Sequence, residues 1–427
     1  MSTSVSDTAM SEVRTSRFLR FWAAQSFSQI GQRFGLLALP VVAIETLHAG
    51  PEEVGYLTAS LTACYLLIGL PAGAWVDRWL KRPTMIKAAV VRAVALASIP
   101  ALWALDHLSL VWLYAVAIIV GIASLFFDVA YQSYVPHIVS EEAIESANAR
   151  LESSAQVSAT GGPAIAGLLL KVVSAPVVLA IDAVAYVVCV GFLATINDTE
   201  PSRSEQEERR SRLTQDVLAG VRLVVGHSVL RRLTISVGVS NFFATIIMTL
   251  MPLLILKTLG LGAVVMGIVL GVGTLGGLIA SFTLSKIRAR LSAGKVMSVG
   301  LILAGLSTVA FPIAGSLREA AIALPVGLLI LGQFGMTWGA VTFNITQVSV
   351  RQRICPKDML ARMTASIRFV VWGSMPFASI LAGWLGSHLG IVTCMWIGVV
   401  GAFFTAFPIV GVDRLIQASA PASVPNV

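Results

Sequence analysis

The chain has 427 residues, 56% hydrophobic and only 12% charged, with a formal net charge of +8 and a mean hydropathy of +0.84. A soluble domain carries roughly 25% charged residues, so this composition excludes a water-covered globular surface and leaves lipid as the solvent for much of the chain. The positive balance does not describe a nucleic-acid binder. The cations are scattered through short loops with no base-stacking aromatic module between them, and they suit anionic headgroups instead.

Residues 1–17 are polar and Ser/Thr-rich, without the basic and apolar regions of a signal peptide, so they read as a cytoplasmic tail and the first span as its own insertion signal. A spanning helix needs about 20 predominantly apolar residues. On that basis the predicted spans are 18–45, 54–76, 84–105, 109–135, 149–172, 175–196, 230–256, 263–286, 295–316, 320–346, 362–386 and 388–411. The predicted fold class is all-α: a polytopic membrane protein of twelve transmembrane helices. Alternate connections hold the cations: Arg78, Lys81, Arg82 and Lys87, then Arg150, then Arg203 to Arg232, then Lys286 to Lys295, then Arg351 to Arg368. The other connections carry only Lys171, Lys257 and Arg318. Cytoplasmic loops accumulate Lys and Arg, so both termini are expected in the cytosol, as in a multi-pass protein of a bacterial plasma (inner) membrane.

Between the sixth and seventh spans the pattern breaks. Residues 197–229 form a polar cytoplasmic linker, in which Leu213, Val217, Leu218, Val221, Val224 and Val225 recur at helical spacing. That spacing suits an amphipathic helix at the interface, or equally a solvated linker helix. The linker separates an N-terminal six-helix bundle (18–196) from a C-terminal one (230–411), followed by a cytoplasmic tail (412–427).

Two segments carry mechanism. Between spans two and three lies Gly73-Ala-Trp-Val-Asp77-Arg78-Trp-Leu-Lys81-Arg82-Pro83. Gly73 permits close helix contact, and Asp77 is suited to charge-assisted hydrogen bonds or to a helix N-terminus. Arg362, opening span eleven, is the candidate cation opposite, making a cytoplasmic latch. Span five contains Gly161-Gly162-Pro163-Ala-Ile-Ala-Gly167, where small residues let backbones approach and Pro163 bends the helix. The glycine-rich face of span eight (Gly267, Gly271, Gly273, Gly276, Gly277) is its expected partner.

Two six-helix halves joined by a polar loop, with GxxxDRxxxR after span two, resemble the major facilitator superfamily. The span-five segment is similar to the GxxxGPxxGG element of its exporters, with Leu168 in place of the last glycine. Phe18-Leu-Arg20-Phe-Trp22, Gln25 and Gly31, Phe127-Asp128 to Pro136, Ala147-Asn148-Ala-Arg150, Ile181-Asp182-Ala183 to Tyr186, and Asn344, Gln347, Pro356, Arg362, Arg368 and Trp372 resemble the macrolide-efflux and enterobactin-exporter branch of drug:proton antiporters. The resemblance implies efflux, of the multidrug-resistance kind, of a drug, macrolide-like compound, siderophore or secondary metabolite. One departure stands out. Where that branch commonly has Gly-Asp, this chain has Gly31-Gln32-Arg33.

Charged groups at helix centre cost roughly 2.5–3.5 kcal/mol on translocon scales, so intramembrane ones are functional candidates. Four qualify: Arg33, Arg92, Asp128 and Asp182. Asp128, beside Tyr131, Gln132 and Ser133, is the best proton carrier, with a structural ion pair as its alternative. Asp182 is expected to hold a structural hydrogen bond. Arg33 is expected to bind an anionic substrate or neutralise Asp128, and Arg92 to do the same from span three or to snorkel towards the interface. Cavity walls are expected from Gln25, Gln29, Gln32, Asn241, Phe242, Phe243, Trp338, Asn344, Gln347 and Trp372, a mixture of amides and aromatics suited to a small amphipathic molecule.

No HExxH, GxSxG or GxxxxGK[ST] motif occurs, and Cys64, Cys189, Cys355 and Cys394 are far apart. Neither an enzyme, an ATP-driven pump, a metal site nor a cofactor is indicated. The expectation is a monomeric secondary exporter that couples a small-molecule substrate to protons by alternating access of two halves around a midplane cavity. An importer of the same fold and a non-transporting receptor or scaffold are the alternatives.

Overall fold

The computed structural model describes residues 3–140, 143–197, 221–355 and 359–419; for 3–15, 70, 74, 77, 145, 360–362, 365 and 417–419 it describes the backbone alone. Most of the interfacial helix expected near 213–225 lies outside the described residues, as do the side chains of Asp77 and Arg362. Among the described residues the structure is helical throughout, with no strand.

In chain order the helices are α1 (Thr3–Val41), α2 (Pro51–Leu67), α3 (Gly69–Arg78), α4 (Lys81–Ala104), α5 (Leu110–Ile138), α6 (Ile144–Val172), α7 (Ala175–Ala194), α8 (Ser228–Leu253), α9 (Gly262–Arg288), α10 (Ala293–Thr308), α11 (Ala310–Ser316), α12 (Ala323–Ile354), α13 (Leu360–Gly373), α14 (Met375–Leu389), α15 (Ile391–Phe403) and α16 (Val412–Ser419). Among the described residues ten helical stretches are long and apolar enough to cross a membrane, against the twelve expected. The second expected span is broken at Ile68, three residues before Pro71, into α2 and α3 of 17 and 10 residues. The fifth, α6, is 29 residues long but starts polar, with Glu145, Arg150 and Glu152 in its first turns. Large side chains such as Phe282 and Phe407 are nearly 80% exposed (78% and 79%), as lipid-facing residues are when no water must be met.

The first and seventh expected spans end alike. In α1, Pro40 precedes a π-helical turn at Val42–Thr46; in α8, Pro252 precedes one at Leu254–Thr258. Proline removes a backbone donor and crowds the preceding turn, and the wider π turn absorbs the mismatch. The same offset of two residues in both places is an internal repeat, invisible to hydropathy.

The chain divides into two compact units. The first comprises Met1–Ala49 and Ala63–Arg210. In it α1 packs on α6 and α7, and α4 packs on α5 and α7. Phe21, Met85, Phe127, Tyr134 and Leu193 form its core. Arg82 donates to the carbonyls of Leu193 at 2.8 Å and Ala194 at 2.7 Å, and Arg20 to that of Thr195 at 2.5 Å. Two cations thus satisfy the open carbonyls at the C-terminus of α7, where the helix dipole favours positive charge.

The second unit comprises Gly50–Thr62 and Ser211–Val427. Here α12 is the central helix, flanked by α9 and α10, while α8 packs on α13, α14 and α15. The glycine face of α9 packs against α12: Gly276 meets the Phe334 backbone and Gly277 meets Val341 and Thr337. Both contacts are within one unit, and Gly339 and Gly300 close on each other in the same way between α12 and α10. The opening turns of α2 join this unit, where a Cβ at Gly55 would stand 2.9 Å from Gly383 Cα in α14.

Candidate functional site

All four intramembrane charges singled out in sequence lie in the first unit, and three of them, Arg92, Asp128 and Asp182, act on one another. Arg92, on α4, is 2% exposed. It donates to the Tyr186 hydroxyl and lies over that ring at 3.9 Å, with the Phe127 ring at 5.8 Å. Its charge reaches both Asp128 on α5 and Asp182 on α7. Arg92 therefore does not snorkel; α4 turns it inward, where a cation is stabilised by the face of an aromatic ring and by two acids. Asp128 also lies in electrostatic reach of Tyr65 and Cys64 of α2 and of Tyr131.

Asp182 is 1% exposed, and its Oδ1 has no hydrogen-bond partner. This corrects the expected hydrogen bond. The carboxylate sits where Gly31 and Gly35 leave α1 bare, since a Cβ at either would stand 2.5 Å from a carboxylate oxygen. Glycine offers room but no side-chain donor, and the backbone donors of α1 are spent within the helix.

Arg33, on the same helix, is half-buried with an unpartnered Nε. It packs against the span-five motif: a Cβ at Gly162 would stand 2.6 Å from Arg33 Cβ. Pro163 and Gly167 are buried beside it on α6. Gly161 makes no such approach, its nearest neighbour being Ile165 of its own helix at 4.0 Å. Gly73 likewise has open space around it among the described residues. Arg78 is exposed. Gln25 is buried and Gln32 half-buried on α1, and the Oε1 atoms of Gln25 and Gln29 have no partner.

The second unit contains a cavity of about 590 Å³, walled by α8, α12 and α13. Asn241, Asn344, Gln347 and Trp372 line it, and Trp338 does not. Gln347 Nε2 donates to Asn344 Oδ1 at 2.9 Å, leaving Gln347 Oε1 unpartnered. Two cations among the lining residues were not anticipated as cavity residues: Arg351 and Arg368. Their charge reads in sequence as cytoplasmic loop charge. The available signal was spacing, since Asn344, Gln347, Val348 and Arg351 repeat at three- and four-residue intervals along one face of α12.

The four cysteines are all buried and free, and among the described residues no cluster of His, Cys, Asp and Glu suited to a metal occurs.

Long apolar helices with charges buried among them define a multi-pass helical membrane protein. Within that class the chain belongs to the Major Facilitator Superfamily, whose family model matches residues 21–379. The superfamily is one of transporters, not enzymes. A protein of Bacillus subtilis (strain 168), the MFS-type transporter YvqJ, is 23% identical over 274 residues, 62% of this chain; the chain spans 61% of that relative's length. Among solved structures, a mutant of the nucleoside transporter NupG is similar with a TM-score of 0.73 at 14% identity, covering 95% of this chain and 100% of that one. A bacterial homologue of the human lysosomal transporter Spinster gives a TM-score of 0.72 at 13% identity, with 96% and 99% covered. A bacterial homologue of the iron transporter ferroportin gives 0.71 at 14%, with 96% and 99% covered. At these identities the likeness speaks for the fold.

Proposed function

We propose that this protein is a secondary active transporter that exports a small amphipathic molecule by proton-coupled alternating access. It works as a monomer in a bacterial inner membrane with both termini cytoplasmic. In this reading α2 with α3 forms the second span and α6 the fifth, which brings the ten apolar helices to twelve.

The observation that carries the reading is the cavity of the second unit. Its volume of about 590 Å³ falls within the roughly 300–1,000 Å³ of ordinary ligand sites. Amides, an aromatic ring and apolar side chains converge there from three helices, the mixture an amphipathic molecule needs. Proton coupling is supported by Asp128 and Asp182, two intramembrane acids sharing Arg92. A proton arriving at one acid frees the cation to favour the other, which gives protonation a structural consequence without any cofactor. Export is supported by the resemblance of the span-five motif and by the seating of Arg33 on Gly162. Asp77 and Arg362 remain the proposed cytoplasmic gate residues.

The test is flux in proteoliposomes. Counterflow of an amphipathic probe, accelerated by an imposed pH gradient and collapsed by a protonophore, is the expected result. Absence of counterflow over a panel of drugs, siderophores and metabolites would remove the transport reading. Accumulation in cells that falls when the protein is expressed supports export, and accumulation that rises reverses its direction.

A further inference from the structure

We propose that the cavity of the second unit contains an anion subsite, built by Arg351 and Arg368, and that its ligand is an organic anion with an apolar or aromatic body. The proposal rests on the transport reading only in calling that ligand a substrate. Arg351 is 9% exposed, and its Nε makes no hydrogen bond. Arg368 enters the same cavity from α13 and holds its guanidinium over the Trp372 ring at 5.4 Å. Arg368 bears electrostatically on Arg351, and among the described residues no acidic one lines the cavity. An uncompensated buried cation such as Arg351 is strongly unfavourable, and a second cation beside it adds repulsion. A carboxylate, sulfonate or phosphate between them reverses that sign, because guanidinium presents a planar fork of donors matched to such oxygens.

The remaining walls say what the anion is attached to. The cavity is far larger than an inorganic oxyanion needs, and Val237, Val341 and Trp372 give it apolar and aromatic surface. Asn344 and Gln347 add amide groups to the walls, suited to a hydroxyl or amide on the ligand body. A soluble amphipathic anion and an anionic lipid headgroup share this chemistry.

The experiment uses the full chain in phosphatidylcholine nanodiscs, titrated calorimetrically with naphthalene-2-sulfonate and with 2-naphthylmethylammonium, which carries the same ring and the opposite charge. The anion is expected to bind at least about tenfold more tightly, with Arg368→Gln and Arg351→Gln each losing about tenfold, as for a charge-assisted hydrogen bond. Arg368→Lys should lose less. Equal binding of the two probes, or undiminished anion binding in the double Gln variant, overturns the proposal. If Arg351→Gln fails to elute as a folded species, Arg368→Gln alone decides, its side chain being exposed. Adding phosphatidylglycerol to the discs separates the sources: competition with the sulfonate identifies a headgroup ligand, and unchanged affinity a soluble one. Equilibrium binding needs neither gradient nor turnover. Anion binding without counterflow therefore removes the transport reading and keeps the subsite, and the reverse result does the opposite.

Discussion

The carboxylate of Asp182 lies directly on the bare backbone of Gly31: a Cβ at that glycine would stand 2.5 Å from Oδ1 and 3.1 Å from the Ala185 Cβ. Four residues on, Gly35 receives Oδ2 at the same 2.5 Å. One turn of α1 is thus shaped around a single acid of α7. The small-residue spacing that brings membrane helices together here also fixes the position of a charge.

Gly31→Ala should therefore destabilise the protein. Alanine gains about 1 kcal/mol over glycine in an open helix, but forcing a methyl into a filled site costs about 1–3 kcal/mol and moves the carboxylate. Gly191→Ala, on α7 with nothing within 4 Å, is the control. Thermal unfolding in detergent should fall for the first and hold or rise for the second.

Arg92 serves two acids, so its removal should cost more than that of either partner. Arg92→Gln is expected to lose about 3–5 kcal/mol, the range for an uncompensated buried charge. Combined with Asp182→Asn it should lose less than the two separately, with a coupling of about 0.5–3 kcal/mol. Additivity in that double-mutant cycle would separate Arg92 from Asp182.

If Asp128 carries the coupled proton, Asp128→Asn should make flux indifferent to pH. Wild-type export should accelerate as the outside is made more acidic than the inside, because inward proton movement drives it. The variant should show one rate at every imposed gradient. A gradient response equal to wild type would assign the proton elsewhere.

Gly276→Ala tests the packing of α9 on α12. Its Cβ would enter the Phe334 carbonyl oxygen, and backbone cannot rotate away as a flexible side-chain end does. A loss of about 1–3 kcal/mol, read as a lower midpoint of thermal unfolding, is expected without any change in oligomeric state.

Asp77→Asn is expected to depress counterflow at least several-fold while membrane insertion, followed by expression and elution profile, stays as in wild type. Equal flux would remove Asp77 from the gate.

Much was legible because the bilayer simplifies the code. Apolar runs of about 20 residues announce helices, and Asn241, Asn344, Gln347 and Trp372 stood out as polar or aromatic groups in apolar surroundings. Arg92 was visible as a charge, but its inward direction was not, since hydropathy does not report which way a helix is turned. Arg351 was hidden for the opposite reason. Its charge was already explained by topology, so nothing in composition asked for a second role. The break at Ile68 and the paired π turns after Pro40 and Pro252 were also out of reach, because windowed hydropathy averages over them.

By itself, then, the sequence determined the solvent, the helical class, the family and the list of charges that lipid would not tolerate. Each of these follows from local chemistry: transfer energies, helix length and residue spacing. The tertiary structure alone decided which charges meet. It put Arg92 within electrostatic reach of Asp128 and Asp182, Asp182 on Gly31 and Gly35, Arg33 on Gly162, and Arg351 with Arg368 in one cavity. Those are relations between helices far apart in sequence, set by rotation and close packing, and no single helix contains the information.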